Sequence, residues 1–88
     1  MAYYLVTGDV DLTTKPKKLA SWHFSNTVAA AVINLRNASV TGDIVVQIQL
    51  AIGTSASQAY SHPNEPFFPD GLFVDVVSGT IVGSVNLV

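Results

Sequence analysis

Asp9-Val10-Asp11 places two carboxylates one residue apart, a spacing at which they could share a calcium ion. Calcium takes about six to eight oxygen ligands, and this stretch offers few besides the two acids. A turn that exposes both side chains is therefore the preferred reading. Zinc needs about four ligands drawn from Cys, His and carboxylate. The chain has no cysteine and only two histidines, His23 and His62, well separated. Neither a metal nor a cofactor is expected.

Nucleophilic catalysis is no better served. Serines are common, but no Gly-x-Ser-x-Gly elbow occurs and no base stands beside a nucleophile. Glu65, Asp70 and Asp75 could meet in space, yet their spacing marks no pair. A glycine-rich phosphate loop is missing too. The sequence points away from an enzyme, and no catalytic residue is assigned. Trp22, Tyr60, Phe67 and Phe68 could stack on a carbohydrate or an oligonucleotide. A tryptophan within a strand more simply belongs to a core, and the other three to the cap of an open sandwich end. Lys15, Lys17 and Lys18 around Pro16 form the one basic cluster and read as solvated. With a net charge of −2, nucleic acid is not the expected partner.

These residues must be positioned by one small domain, residues 1–88. A chain of this size buries only about 60–65% of its unfolded surface, so the core is thin. Hydrophobic residues make up 49% and charged residues 11%, against a usual share of about 25% charged. Without disulfides, a partner is the natural cover for surplus apolar surface. The start lacks the basic region of a signal peptide, and no apolar run approaches the roughly 20 residues of a membrane helix. Folding in a cytoplasm without membrane contact is expected.

Alternating residues outline six strands and no confident helix. The first spans Tyr3 to Thr7, and residues 1–17 as a whole read as an N-terminal strand and arm, with 9–16 a connection. The second runs from Lys18 to Ser25, with Ala20, Trp22 and Phe24 toward the core and Leu19, Ser21 and His23 away from it. After a turn at Asn26-Thr27, the third runs from Val28 to Asn37. Its start could also begin a helix, but Asn34-Leu35-Arg36-Asn37 restores alternation. The fourth, Ile44 to Leu50, turns Ile44, Val46, Ile48 and Leu50 inward and Gln47 and Gln49 outward. Residues 53–66 lose periodicity and read as a long loop between sheets. Gly71 to Val77 and Thr80 to Val88 read as a hairpin about a Ser78-Gly79 turn, ending with the last residues in a sheet. The fold expected is an all-β antiparallel sandwich of jelly-roll or Greek-key type.

Val32, Val45, Val77 and Val82 share outward faces with Asn34, Gln47, Asp75 and Ser84. Valine suits any pleated surface, but so many on polar faces also suit contact between subunits. With Tyr3, Tyr4 and Leu5 of the first strand, and Tyr60, Phe67 and Phe68, they form the expected interface set.

The succession Lys18-Leu19-Ala20-Ser21-Trp22-His23-Phe24-Ser25-Asn26-Thr27, then Ala31-Val32-Ile33-Asn34-Leu35-Arg36-Asn37, resembles small structural proteins of tailed bacteriophages. The stretch Phe68-Pro69-Asp70-Gly71-Leu72-Phe73-Val74-Asp75-Val76-Val77-Ser78-Gly79-Thr80 is similar as well. The resemblance covers Lys18 to Val88 and rests on turn and core residues. It implies a virion protein on the capsid surface: a decoration, or cement, protein assembled in the host cytoplasm. Such a protein works as a homo-oligomer, a trimer or dimer, and stabilises the shell by bridging major capsid protein subunits. The alternative is a head-tail or tail accessory module that presents residues 53–66 to a host glycan or receptor. The first strand is the expected site of pairing or exchange, because sheet edges leave donors and acceptors open.

Overall fold

The computed structural model describes residues 2–26 and 29–88. Thr27 and Val28, expected in a turn and at the start of the third strand, lie outside them. The described residues form nine strands and no helix: β1 (Ala2–Val6), β2 (Val10–Thr13), β3 (Lys17–Ser25), β4 (Ala31–Asn37), β5 (Ile44–Leu50), β6 (Ser55–Ala59), β7 (Phe67–Phe68), β8 (Leu72–Ser78) and β9 (Val82–Leu87). Two antiparallel sheets run in the orders β1-β9-β3-β6 and β2-β8-β4-β5, and β7 adds a two-residue pairing at the start of β3. Among the described residues, β4 and β5 are the only sequence neighbours that pair directly. Leaving aside the short β7, every other step along the chain changes sheet. That is the jelly-roll order.

The core lies between the sheets. Val6, Leu19, Trp22, Phe24, Val85 and Leu87 meet Ala31, Ile33, Leu35, Ile48, Leu50, Leu72 and Val74, with Phe68 and Ile81 closing the ends. Alternation explains most of this, because one face of each strand is apolar.

The departures from the expected strands have local causes. The last two strands are not a hairpin: β8 pairs with β2 and β4, whereas β9 pairs with β1 and β3. Their apolar faces look at each other across the core. Ser78-Gly79 is still a tight bend, with Gly79 at a φ of 80°. A β-carbon there would lie 2.6 Å from the Ala30 carbonyl oxygen and 2.9 Å from the Ala31 Cα. Gly79 thus lets the crossing lie against the start of β4.

β1 stands where the first strand was expected, while the expected connection 9–16 contains β2, and the two are ladder strands of opposite sheets. Asp9 is part of the join. Its Oδ1 accepts from the Val76 amide at 2.7 Å, which ties the β1–β2 turn to β8. The expected loop 53–66 contains β6, paired with β3 from Ser21–Ala59 to Ser25–Ser55. Its small polar residues carry no apolar alternation, and only Ala56 packs on the core.

Leu19 is fully buried rather than outward-facing. The register between β3 and β9 shifts between Leu19 and Ser21, and this bulge turns Leu19 to the same side as Trp22 and Phe24. At the other end of the pattern, Ile44 is exposed, not inward. The β4–β5 register shifts where Arg36 meets Ile44.

Candidate functional site

The chemistry-bearing side chains are dispersed. Asp75 accepts from Arg36 Nε at 2.9 Å, while Arg36 Nη1 donates to the Gly42 carbonyl. Asp70 accepts from Asn37 Nδ2 at 3.1 Å. Glu65 meets His62 instead, with Nδ1 and Oε2 3.3 Å apart. The three carboxylates that could have converged are thus committed to three different partners. His23 stands exposed on the outer face of the β1-β9-β3-β6 sheet, opposite Ser84 and Ser57. Among the described residues, no three His, Asp or Glu side chains gather.

The ten expected interface residues fall on several surfaces. Register places Tyr3 beside Asn86 and Leu5 beside Ser84, with Ser21 and His23 next along the same rows. Val82, opposite Ser25, lies on this outer face too. Tyr3 is 62%, Leu5 76% and Val82 57% exposed. Apart from His23 the neighbouring positions Ser21, Ser25, Ser57, Ser84 and Asn86 are small and polar, and Asn86 Nδ2 donates to Ser21 Oγ at 3.0 Å.

Val32, Val45 and Val77 belong to the opposite sheet. There Arg36–Asp75 and a hydrogen bond from Gln47 Nε2 to Asn34 Oδ1 hold a polar network around the buried Asn34. Tyr4 packs inward against the core. Tyr60 is half-buried, its hydroxyl accepting from Trp22 Nε1 at 3.2 Å. Phe68 is fully buried and cannot contact a partner, although Phe67 beside it is exposed.

The edges of the sheets differ in how they are guarded. β1 and β6 flank one sheet, β2 and β5 the other. β2 is short and bulged opposite β8, and β5 begins at a register shift. β6 exposes serines, alanine and glutamine. β1 combines two large exposed apolar side chains with five unbroken pairs to β9, no charge and no proline, whereas β5, with Ile44 and Val45 exposed, is interrupted by the register shift at its start. β1 has none of the usual protections of an edge strand.

At the β7 end of the same sheet lies a cavity of about 480 Å³. Pro16, Lys17 and Lys18 of the entry to β3, His62 and Glu65 of the following loop, Phe67 of β7, and Val88 line it. Mutual backbone hydrogen bonds between Lys18 and Val88 fix one wall, and the Leu19 amide bonded to the Pro66 carbonyl fixes another. The Glu65 side chain is 9% exposed, and its Oε1 is buried without a hydrogen-bond partner. Its own backbone amide holds the carboxyl below the usual glutamate range. Burial opposes this, while His62 and Lys18 assist it. The i, i+3 spacing of His62 and Glu65 is the signal for this pairing in the sequence. No protein-family model, no curated protein and no solved structure matches this chain.

Proposed function

We propose that this chain is a virion structural protein: a capsid decoration protein of a tailed bacteriophage that docks on the assembled shell and stabilises it. The observation that carries this reading is the unguarded β1 edge, with Tyr3 and Leu5 exposed beside it. A strand of a neighbouring subunit can extend the ladder from that edge, with the exposed Tyr3 and Leu5 side chains packing against it. The resemblance read in the sequence at Lys18–Thr27, Ala31–Asn37 and Phe68–Thr80 supports a particular partner, the major capsid protein.

The mechanism is mass action. A protein that binds only the assembled shell stabilises it by about 2.7 kcal/mol per site at a hundredfold excess over Kd. The chain itself contributes no reaction, only a surface and an edge. The test is to heat isolated shells of the parent phage with and without the purified chain and record the disruption temperature. Stabilised shells support the proposal. Shells that melt identically at saturating protein, with none bound, contradict it.

A further inference from the structure

The cavity beside β7 goes beyond shell docking. We infer that the cavity holding Glu65, Lys17, Lys18 and Phe67 is a binding site for a small zwitterion, an α-amino acid or dipeptide with an apolar side chain.

Its walls combine groups that seldom share one space. Glu65 brings a carboxylate whose side chain is nine-tenths buried and whose Oε1 lacks any partner within the protein. A buried acceptor left unpaired is costly, and a charged one more so. An ammonium group is the donor that repairs this best, because charge-assisted hydrogen bonds are roughly twice as strong as neutral ones. Oε1 is reached from the cavity by a shift of the whole Glu65 side chain, which its contact with the exposed His62 leaves room for.

A simple cation would nevertheless meet the positive charges of Lys17 and Lys18 on the same walls. A simple anion would face Glu65. A ligand carrying both charges answers both conditions: its ammonium on Glu65, its carboxylate toward the lysines. Pro16 and the exposed ring of Phe67 then receive an apolar side chain. About 480 Å³ holds a molecule of this size.

Titration calorimetry or ligand-observed NMR with L-leucine, L-leucyl-L-leucine and N-acetyl-L-leucine amide tests the site on the intact chain. Whichever of the first two fits is expected to bind with a Kd near about 1 mM or below. The capped amide, which lacks both charges, should not bind. Glu65→Gln should weaken binding about tenfold or more. Lys17→Ala with Lys18→Ala should weaken it too, and unchanged thermal midpoints would show that the variants remain folded. The comparison of free and capped ligands needs no variant, so it stands even where Glu65→Gln fails to fold. Equal binding of the capped amide, or no binding of either zwitterion at tens of millimolar, would overturn the site.

Discussion

At Gly83, β9 passes so close to β3 that a β-carbon would lie 2.1 Å from the His23 carbonyl oxygen and 2.6 Å from Phe24 Cδ1. Glycine is required there for approach, not for an unusual φ. Gly83→Ala is expected to lower stability by about 1–3 kcal/mol through overpacking. Gly8, with nothing within 4 Å of the added carbon, gives the contrast: Gly8→Ala should be neutral or mildly stabilising. Urea unfolding midpoints of the two variants check both. Glu65 has a signature of its own. Because its folded pKa is depressed, its stabilising contribution is complete above the ordinary glutamate pKa and disappears as pH falls through the lower folded value. His62, Lys17 and Lys18 are the charged or titratable groups around it. The stability difference between wild type and Glu65→Gln should therefore be largest near neutrality and shrink in acid, as followed by urea melts across pH. Individual side chains were the hardest scale to read in advance. Asp9 looked like a metal ligand or a solvated turn, yet its work is to accept from the Val76 amide across 67 positions of chain.

Strand periodicity located most elements but left their pairing open. The β5 alternation placed Ile48 and Leu50 in the core, and Ala31, Ile33 and Leu35 followed the same rule. What alternation cannot distinguish is a strand bonded to its neighbour from one facing it across the core, since both need a single apolar side. That is why β8 and β9, joined by a tight Ser-Gly bend, looked like a hairpin and are instead in opposite sheets. Bulges were equally invisible, because one extra residue reverses the pattern without any marker in residue type. β6 escaped notice for a third reason: an exposed edge strand of Ser, Ala and Gln has no apolar face to advertise it. The two residues of β7 make a clean comparison. Phe68→Ala empties a core position and should cost about 3–5 kcal/mol, whereas Phe67→Ala should change stability by less than about 0.5 kcal/mol. Thermal or urea midpoints measured side by side would show whether β7 is a core plug with one free face.

Taken as a whole, the molecule exposes 4712 Å². A free globular chain of 9.3 kDa exposes about 5,000 Å², so the surface is ordinary in extent. The case for a partner rests on which groups lie outside, namely Tyr3 and Leu5 along an uncharged edge, rather than on how much apolar composition the chain carries. The sandwich class was readable from short alternating runs and turn residues at regular intervals. The grouping of strands into sheets was not, being fixed by contacts between residues far apart in the chain. If β1 pairs between copies, light scattering at increasing concentration should give masses that are multiples of 9.3 kDa, and Leu5→Lys should return the chain to a single copy. Docking itself is tested most directly by cosedimentation with isolated phage shells of wild type, Leu5→Lys, and Val77→Lys from the opposite sheet. Wild type and Val77→Lys should pellet with the shells while Leu5→Lys stays in the supernatant. Retention of Leu5→Lys on the shells, or loss of Val77→Lys in its place, would contradict docking through β1.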